Sequence, residues 1–198
     1  MPAIVLASGS TTRQAMLRAA GIPFTVDVAA IDETSVMESL QAEHAKPRDA
    51  ADMLAEMKAL KVSAKHQGAL VIGADQILSL NGKFFAKPAD LPAARRQLLE
   101  LRGQTHELTS AAVVARDGSP IWREIREARL TMRSFSDAFL DDYLAKAGSS
   151  VLSSVGAYQV EGLGAQLFSR IDGDHFTILG LPLLPLLDML RAQGILKA

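Results

Sequence analysis

The sequence lacks cysteine altogether, has few aromatic residues and carries no excess of either charge. Without cysteine the chain forms no disulfide bond and offers no thiolate to a metal, which fits a reducing compartment. A formal net charge of −1 provides no overall positive field to attract nucleic acid or an anionic membrane. Since no basic patch is interleaved with aromatic residues either, we expect no nucleic-acid partner.

Long hydrophobic runs are missing as well. The apolar segment LGLPLLPLLDML is short and interrupted by proline, so it is unsuited to span a bilayer. The first residues do not show the basic stretch and long apolar stretch of a secretory signal. We therefore expect a cytoplasmic protein without membrane contact, folded as a single domain over residues 1–198.

The alternation of apolar runs and turn residues predicts an α/β fold. Asn81-Gly82 and Asp117-Gly118 are typical of tight hairpins, so the central sheet is expected to be mixed, largely antiparallel and flanked by helices. Residues 156–164 are dense in glycine and are predicted as a loop, and the apolar tail either packs inside or forms a dimer face. We predict strands over residues 3–7, 24–28, 69–80, 83–86, 104–116 and 121–133 and helices over residues 11–20, 48–66, 91–102, 136–147 and 183–193.

The segment between the first predicted strand and helix is rich in hydroxyl groups and ends in an arginine. Ser8, Ser10 and Thr11 surround a helix N-terminus, where unpaired backbone N–H groups favour an anion. Arg13 opposes the helix macrodipole there, a local cost that hints at function. Two interpretations stay open: an ordinary helix cap with a solvated arginine, or a phosphate-binding site.

An aspartate in the most apolar strand and a lysine on the apolar stripe of a helix are the next candidates. Asp75, in VIGADQIL, is costly to bury unless it is paired or binds a metal. Solvation at a sheet edge or a structural hydrogen bond is the alternative. Lys58 shares its helical stripe with Leu54 and Val62, and it either extends its ammonium from the core edge or points at a bound phosphate.

Lys87 and Glu33 are weaker candidates. Pro88 restricts the backbone of Lys87 to an extended form. Glu33 follows Asp32 and is either a ligand of a hard cation or part of a solvated acidic loop. The four histidines lack metal-binding spacing, so a zinc site is not expected. Anion donors, cations and carboxylates together fit a magnesium–polyphosphate site, and this is as far as the residues alone reach.

These segments resemble, in order and spacing, the Maf family of nucleoside triphosphate pyrophosphatases over nearly the whole chain. The matching motifs are LASGSTTR from residue 6, DE from 32, LAEMKA from 54, GADQ from 73, KP from 87, GQTHE from 103, GAYQVEGLGA from 156 and GLPL from 180. The resemblance implies a mixed α/β fold of two lobes around a cleft, like inosine triphosphate pyrophosphatases, and a homodimer. It implies hydrolysis of a nucleoside triphosphate to a monophosphate and pyrophosphate with Mg²⁺ or Mn²⁺.

The resemblance also implies roles for the candidate residues. Asp75 would be the general base or water-orienting carboxylate, and Glu33 and Asp75 would be the metal ligands. The residues that would bind the substrate phosphates are Ser8, Ser10, Arg13, Lys58 and Lys87.

Thr12, Gln76 and Glu161 match positions that are linked in the family to the choice of base. Gln76 and Glu161 resemble the branch that acts on 7-methyl-GTP. The carboxylate of Glu161 suits that base, since it can accept from the N1–H and N2–H₂ of guanine and favours a cationic base. Thr12 is neither the arginine of one branch nor the tryptophan expected in the other. A dTTP or UTP pyrophosphatase and a non-catalytic nucleotide-binding regulator of cell division remain the alternatives.

Overall fold

The computed structural model describes residues 2–197 and has a seven-stranded mixed sheet at its centre. Met1 and Ala198, the ends of the predicted single domain, lie outside the described residues. The strands are β1 (Ile4–Leu6), β2 (Thr25–Val26), β3 (Leu70–Leu80), β4 (Lys83–Phe85), β5 (Thr105–Arg116), β6 (Ser119–Met132) and β7 (Phe168–Asp172).

The strand order is β2-β1-β3-β5-β6-β7, with β4 paired to β3. β1 is parallel to β2 and β3, whereas the pairs of β3 with β4 and β5, of β5 with β6 and of β6 with β7 are antiparallel. The predicted α/β class and the mixed, largely antiparallel sheet are therefore confirmed.

Helices flank this sheet, and several begin at side chains that cap them. The helices are α1 (Thr11–Ala19), α2 (Glu33–Ala42), α3 (Pro47–Ser63), α4 (Leu91–Leu101), α5 (Asp137–Ala147), α6 (His175–Ile178) and α7 (Leu183–Ala192). Ser10, Asp32 and Ser136 each accept a hydrogen bond from the first turn of α1, α2 and α5. None of the helices within residues 2–197 combines the length and apolarity needed to cross a membrane.

Both hairpin turns follow the sequence signal. Asn81 and Gly82 have φ values of 52° and 81°, and Asp117 and Gly118 have φ values of 50° and 75°. Positive φ at both central residues is the type I′ requirement, and it explains why Asn-Gly and Asp-Gly stand at these positions. The predicted pairs of strands on either side of each turn are confirmed.

Several elements depart from the sequence expectation. Glu33 begins helix α2 instead of lying in an acidic loop, because Asp32 caps the helix and Val36, Met37 and Leu40 pack beneath it. Strand β7 and the four-residue helix α6 were not predicted. β7 is an almost wholly exposed edge strand that lacks a hydrophobic pattern and is defined by its pairing with β6.

The glycine-dense segment contains short 3₁₀ helices rather than a simple loop, at Val155–Ala157 and Leu163–Leu167. The apolar tail packs inside along one face, since Leu186 and Leu190 are buried against the sheet. Leu184, on the other face of α7, is exposed.

A glycine in β3 brings the site residues together. A Cβ at Gly73 would lie 2.1 Å from the carbonyl oxygen of Ala55 and 2.6 Å from the amide nitrogen of Ala59. Only glycine allows α3 to lie this close to the strand. The close approach places Lys58 of α3 beside Asp75 of β3.

Candidate active site

A cleft of about 440 Å³ opens where the loop after β1 and the elements α1, α2, α3 and β3 meet the segment before β7. Residues from widely separated parts of the sequence line it. Among them are all the predicted site residues: Ser8, Ser10, Thr12, Arg13, Glu33, Lys58, Asp75, Gln76, Lys87 and Glu161. The structure thus brings the predicted residues together, while the role of each one stays a prediction.

Lys58 bridges two carboxylates at the floor of the cleft. Its Nζ lies 2.6 Å from Oδ1 of Asp75 and 2.9 Å from Oε1 of Glu33. The side chains of Lys58 and Asp75 are only 6% and 9% exposed, whereas that of Glu33 is 50% exposed. Asp75 is therefore neither solvated at a sheet edge nor unpaired, and the ammonium of Lys58 binds carboxylates rather than extending to solvent.

Arg13 is buried at the N-terminus of α1 and makes hydrogen bonds to three parts of the fold. Its Nε donates to the carbonyl oxygen of Gly180 at 2.8 Å, and its Nη1 donates to Ser8 Oγ and to the carbonyl oxygen of Ala74, both at 3.0 Å. These bonds hold the guanidinium plane without using Nη2. Arg13 is thus not the solvated arginine of an ordinary cap, and its positive charge is fixed in the cleft wall.

Burial governs the ionisation of both charged groups. It raises the pKa of the Asp75 carboxyl, and the positive charges of Lys58 and Arg13 offset part of that rise. It lowers the pKa of the Arg13 guanidinium, and Asp75 and Glu33 offset part of that decrease. A buried carboxylate with a raised pKa, facing a cleft, is the arrangement expected of a general base.

The hydroxyl-rich loop is at once a helix cap and part of the cleft. Ser10 Oγ accepts a hydrogen bond from the backbone N–H of Arg13 at 3.3 Å, and Ser8 Oγ accepts one from the N–H of Ser10 at 3.3 Å. Both serines also line the cleft. The two interpretations left open by the sequence are therefore compatible.

The remaining predicted residues are less constrained, with one exception. Lys87 and Glu161 are exposed, and the hydrogen bonds and ion pairs found among residues 2–197 include none from either side chain. Thr12 is half-buried in the first turn of α1. Gln76 is the exception, because its Nε2 donates to Ser110 Oγ and to the carbonyl oxygens of Thr177 and Ile178.

Several residues that support the site were not singled out from the sequence. Gly180 and Ser110 contact Arg13 and Gln76, and Tyr158 forms part of the cleft wall. The Tyr158 hydroxyl lies 2.7 Å from Nε2 of His106, whose pKa burial lowers to about 4. His106 and Tyr158 both lie in the quoted motifs, but only the fold shows that they touch.

Two carboxylates of the cleft have the donor chemistry that a divalent cation prefers. Among residues 2–197, no three His, Cys, Asp or Glu side chains are grouped so that they could hold a metal by themselves. Glu33 and Asp75 are hard oxygen donors on one wall, and Mg²⁺ usually takes one or two carboxylates together with phosphate oxygens and water. The donor set fits such a cation.

Comparisons with known proteins agree on one family. Residues 3–193 match the family described as Maf-like protein. A relative from Paramagnetospirillum magneticum, named nucleoside triphosphate pyrophosphatase, is 60% identical over 190 residues and the match covers 96% of this chain and 98% of the relative. A relative from Caulobacter vibrioides with the same name is 54% identical over 193 residues, covering 98% of this chain and 96% of the relative.

A further relative carries a more specific name. The 7-methyl-GTP pyrophosphatase of Brucella abortus is 54% identical over 190 residues, covering 96% of each chain. A solved structure, a nucleoside-triphosphatase/dITP/XTP pyrophosphatase from Mycobacterium abscessus, aligns over 97% of this chain and 95% of its own with a TM-score of 0.43 and 14% identity. The family assignment rests on the sequence matches.

Proposed function

The chain belongs to the Maf family, and we propose that it hydrolyses nucleoside triphosphates to nucleoside monophosphates and pyrophosphate. The observation that carries this proposal is the buried Asp75–Lys58 pair beside the fixed guanidinium of Arg13, in a cleft that also contains Gln76 and Glu161. The names of the relatives support it. A candidate general base, two cationic side chains and two candidate groups for recognising the nucleobase thus line one cavity.

In the proposed reaction a water molecule attacks the α-phosphorus of the triphosphate. A new P–O bond forms, the bond from the α-phosphorus to the bridging oxygen breaks, and pyrophosphate leaves. Asp75 takes the proton of the water, for which its raised pKa suits it. Lys58 fixes the carboxylate through Oδ1, which leaves Oδ2 as the oxygen to orient the water.

The cationic side chains of the cleft stabilise the negative charge that grows on the phosphate oxygens. Arg13 is held by backbone carbonyl groups before any ligand binds, so it needs little reorganisation to meet that charge. Ser8 and Ser10 add hydroxyl groups in the same part of the cleft. Lys87 is exposed and extends this set from the rim.

A divalent cation, Mg²⁺ or Mn²⁺, belongs to the same proposal. Glu33 and Asp75 would hold it, and when bound it neutralises charge on the phosphate oxygens. Lys58 pairs with both carboxylates and so holds them on the same side of the cleft.

We propose 7-methyl-GTP, or another modified nucleotide, as the substrate. Glu161 supports this choice because a carboxylate accepts from the adjacent N1–H and N2–H₂ of guanine but repels the carbonyl oxygens of uracil and thymine. The name of the Brucella abortus relative points the same way. Hydrolysis of dTTP or UTP is the alternative.

A substrate panel tests the function. The purified protein is incubated with 7-methyl-GTP, GTP, CTP, UTP and dTTP, each with Mg²⁺ or Mn²⁺, and the products are separated by ion-exchange chromatography. We expect monophosphate and pyrophosphate, most rapidly from 7-methyl-GTP. Release of diphosphate and orthophosphate would contradict the proposed bond cleavage. Calorimetric binding without any hydrolysis would favour the non-catalytic regulator.

We also propose that the protein is a homodimer, as the resemblance implies, and that it is cytoplasmic, as its composition indicates. A cytoplasmic homodimer is expected, and the mass of the purified chain by light scattering distinguishes a dimer from a monomer.

A further inference from the structure

We infer that Ser110 is a positioning residue that, with the backbone carbonyls of Thr177 and Ile178, orients the Gln76 amide so that its acceptor oxygen alone faces the nucleotide base. The inference deepens the proposed function and rests on it for the identity of the ligand. The amide orientation itself can be measured without any turnover. Gln76 and Ser110 lie on neighbouring strands as a directly opposed pair of residues.

The nitrogen end of the Gln76 amide is fully engaged by the protein. Nε2 lies 3.0 Å from Ser110 Oγ, 3.1 Å from the carbonyl oxygen of Thr177 and 3.0 Å from that of Ile178. An amide nitrogen has two protons, so these three acceptors exhaust its donor capacity. A base in the cleft therefore finds no free N–H on this side chain.

The reversed amide is disfavoured by the same neighbours. Backbone carbonyl oxygens only accept hydrogen bonds, so turning Oε1 toward Thr177 and Ile178 would set oxygen against oxygen. The reversal would replace the two hydrogen bonds that Nε2 donates to these carbonyl oxygens with repulsive oxygen–oxygen contacts. Among residues 2–197 no hydrogen bond uses Oε1, which is therefore the available end of a half-buried side chain that lines the cleft.

Ser110 is the side chain that completes this arrangement. Its hydroxyl donates to the carbonyl oxygen of Thr177 at 2.7 Å, which uses its only proton and leaves its lone pairs for Gln76. Ser110 is completely buried on β5 and does not line the cleft. It acts on a ligand only through Gln76, and it also ties the short helix α6 to the sheet.

The consequence concerns the chemical class of the base. Both groups proposed to contact the nucleobase, Oε1 of Gln76 and the carboxylate of Glu161, are hydrogen-bond acceptors. An acceptor pair suits an edge with adjacent donors, such as the N1–H and N2–H₂ of guanine. Uracil and thymine present one N–H between two carbonyl oxygens and are disfavoured.

The test compares the wild-type protein with Ser110→Ala. Ser63→Ala is the matched control, because Ser63 is also buried and its Oγ accepts one hydrogen bond, from Gly118 N–H at 3.0 Å, outside the cleft. Two quantities are measured. The first is the hydrogen exchange of the Gln76 side-chain amide by NMR, and the second is the ratio of kcat/KM for 7-methyl-GTP to that for UTP.

Ser110→Ala should speed the exchange of the Gln76 amide and lower the selectivity ratio roughly 3- to 10-fold, the range for one lost hydrogen bond. The loss should appear in KM for 7-methyl-GTP, with kcat within about twofold of wild type. Ser63→Ala should change neither quantity. An unchanged ratio and exchange rate, or an equal loss of kcat on every nucleotide, would overturn the positioning role.

The outcome also separates this inference from the proposed function. If the wild-type protein releases no pyrophosphate from any nucleotide, the proposed function fails. The amide exchange still reports whether Ser110 holds Gln76, since it requires no substrate.

Discussion

The cleft contains two regions that differ sharply in burial. Arg13, Lys58 and Asp75 form a buried charged cluster, each fixed by hydrogen bonds to the protein. Lys87 and Glu161 form an exposed rim without such bonds among residues 2–197. The groups proposed for chemistry are thus held in place before a ligand binds, whereas the rim groups are held by their backbone alone.

The difference has an energetic consequence. Removing one partner of a buried pair leaves an uncompensated charge or an unsatisfied polar group, so a change in the buried cluster alters folding as well as activity. An exposed side chain contributes little to stability, and a change in the rim alters ligand binding alone. Base selectivity can therefore vary through the rim without loss of the fold.

Replacement of Asp75, the proposed general base, gives the largest expected loss of activity. Asp75→Asn keeps the shape of the side chain but removes its capacity to take a proton, so kcat should fall by at least about 100-fold. Pyrophosphate release from 7-methyl-GTP measures the loss, and circular dichroism establishes that the variant is folded. Asp52→Asn is the control, because Asp52 pairs with Arg123 outside the cleft.

Full turnover by Asp75→Asn with every accepted nucleotide would contradict the role of Asp75. The contrast between the buried cluster and the exposed rim would then fail, because the buried carboxylate of Asp75 would stabilise the fold without taking part in the reaction.

Arg13→Lys tests whether a member of the buried cluster serves both folding and activity. A lysine cannot reproduce the fork that reaches Gly180, Ser8 and Ala74 together. We expect the free energy of unfolding to fall by about 1–3 kcal/mol and kcat/KM to fall roughly 10-fold or more. Urea unfolding and steady-state kinetics measure the two losses. Arg18→Lys, in the exposed last turn of α1, should cause neither.

The buried cluster also marks the limit of what the sequence predicts. Asp75 and Lys58 stand out locally, as a carboxylate in an apolar strand and a cation on an apolar stripe. Their pairing depends on the approach of α3 to Gly73, which no local pattern encodes. Arg13 stands out as a cation at a helix N-terminus, but two of its three acceptors, Gly180 and Ala74, are backbone carbonyls far away in the sequence.

The fold shows the same division between local and tertiary information. Strands β3 and β5 were predicted because they are long, apolar and bounded by turn residues. Strand β7 was missed because its residues are almost all exposed and only pairing with β6 makes it a strand. Helix α2 was missed although Asp32 and the apolar spacing after it were visible, since the acidic pair was interpreted as a loop.

Glu33 is intermediate in burial between the buried cluster and the exposed rim, and its replacement should have an intermediate effect on activity. Its side chain is half exposed, yet it contacts Lys58 at 2.9 Å. In Glu33→Gln we expect the Mn²⁺ concentration for half-maximal activity to rise roughly 10-fold, because one hard oxygen ligand becomes a neutral amide. Titration of activity with Mn²⁺ measures it. Glu38→Gln, exposed on the same helix, is the control. An unchanged Mn²⁺ requirement would remove Glu33 from the metal site.

Glu161→Gln gives the smallest change and isolates the rim. The amide can still accept one hydrogen bond from guanine, but it loses the negative charge that favours a methylated, cationic base. We expect the ratio of kcat/KM for 7-methyl-GTP to that for UTP to fall roughly 5-fold, which corresponds to about 1 kcal/mol. The urea midpoint should stay at the wild-type value, because Glu161 is exposed.

Glu127→Gln, exposed on β6 away from the cleft, controls for the lost charge. If Glu161→Gln lowered the urea midpoint but left the ratio of kcat/KM values unchanged, Glu161 would stabilise the fold, as the buried cluster does. It would then have no part in selecting the nucleobase. If the ratio falls while stability is kept, the exposed rim selects the nucleotide independently of the groups that hold its phosphates.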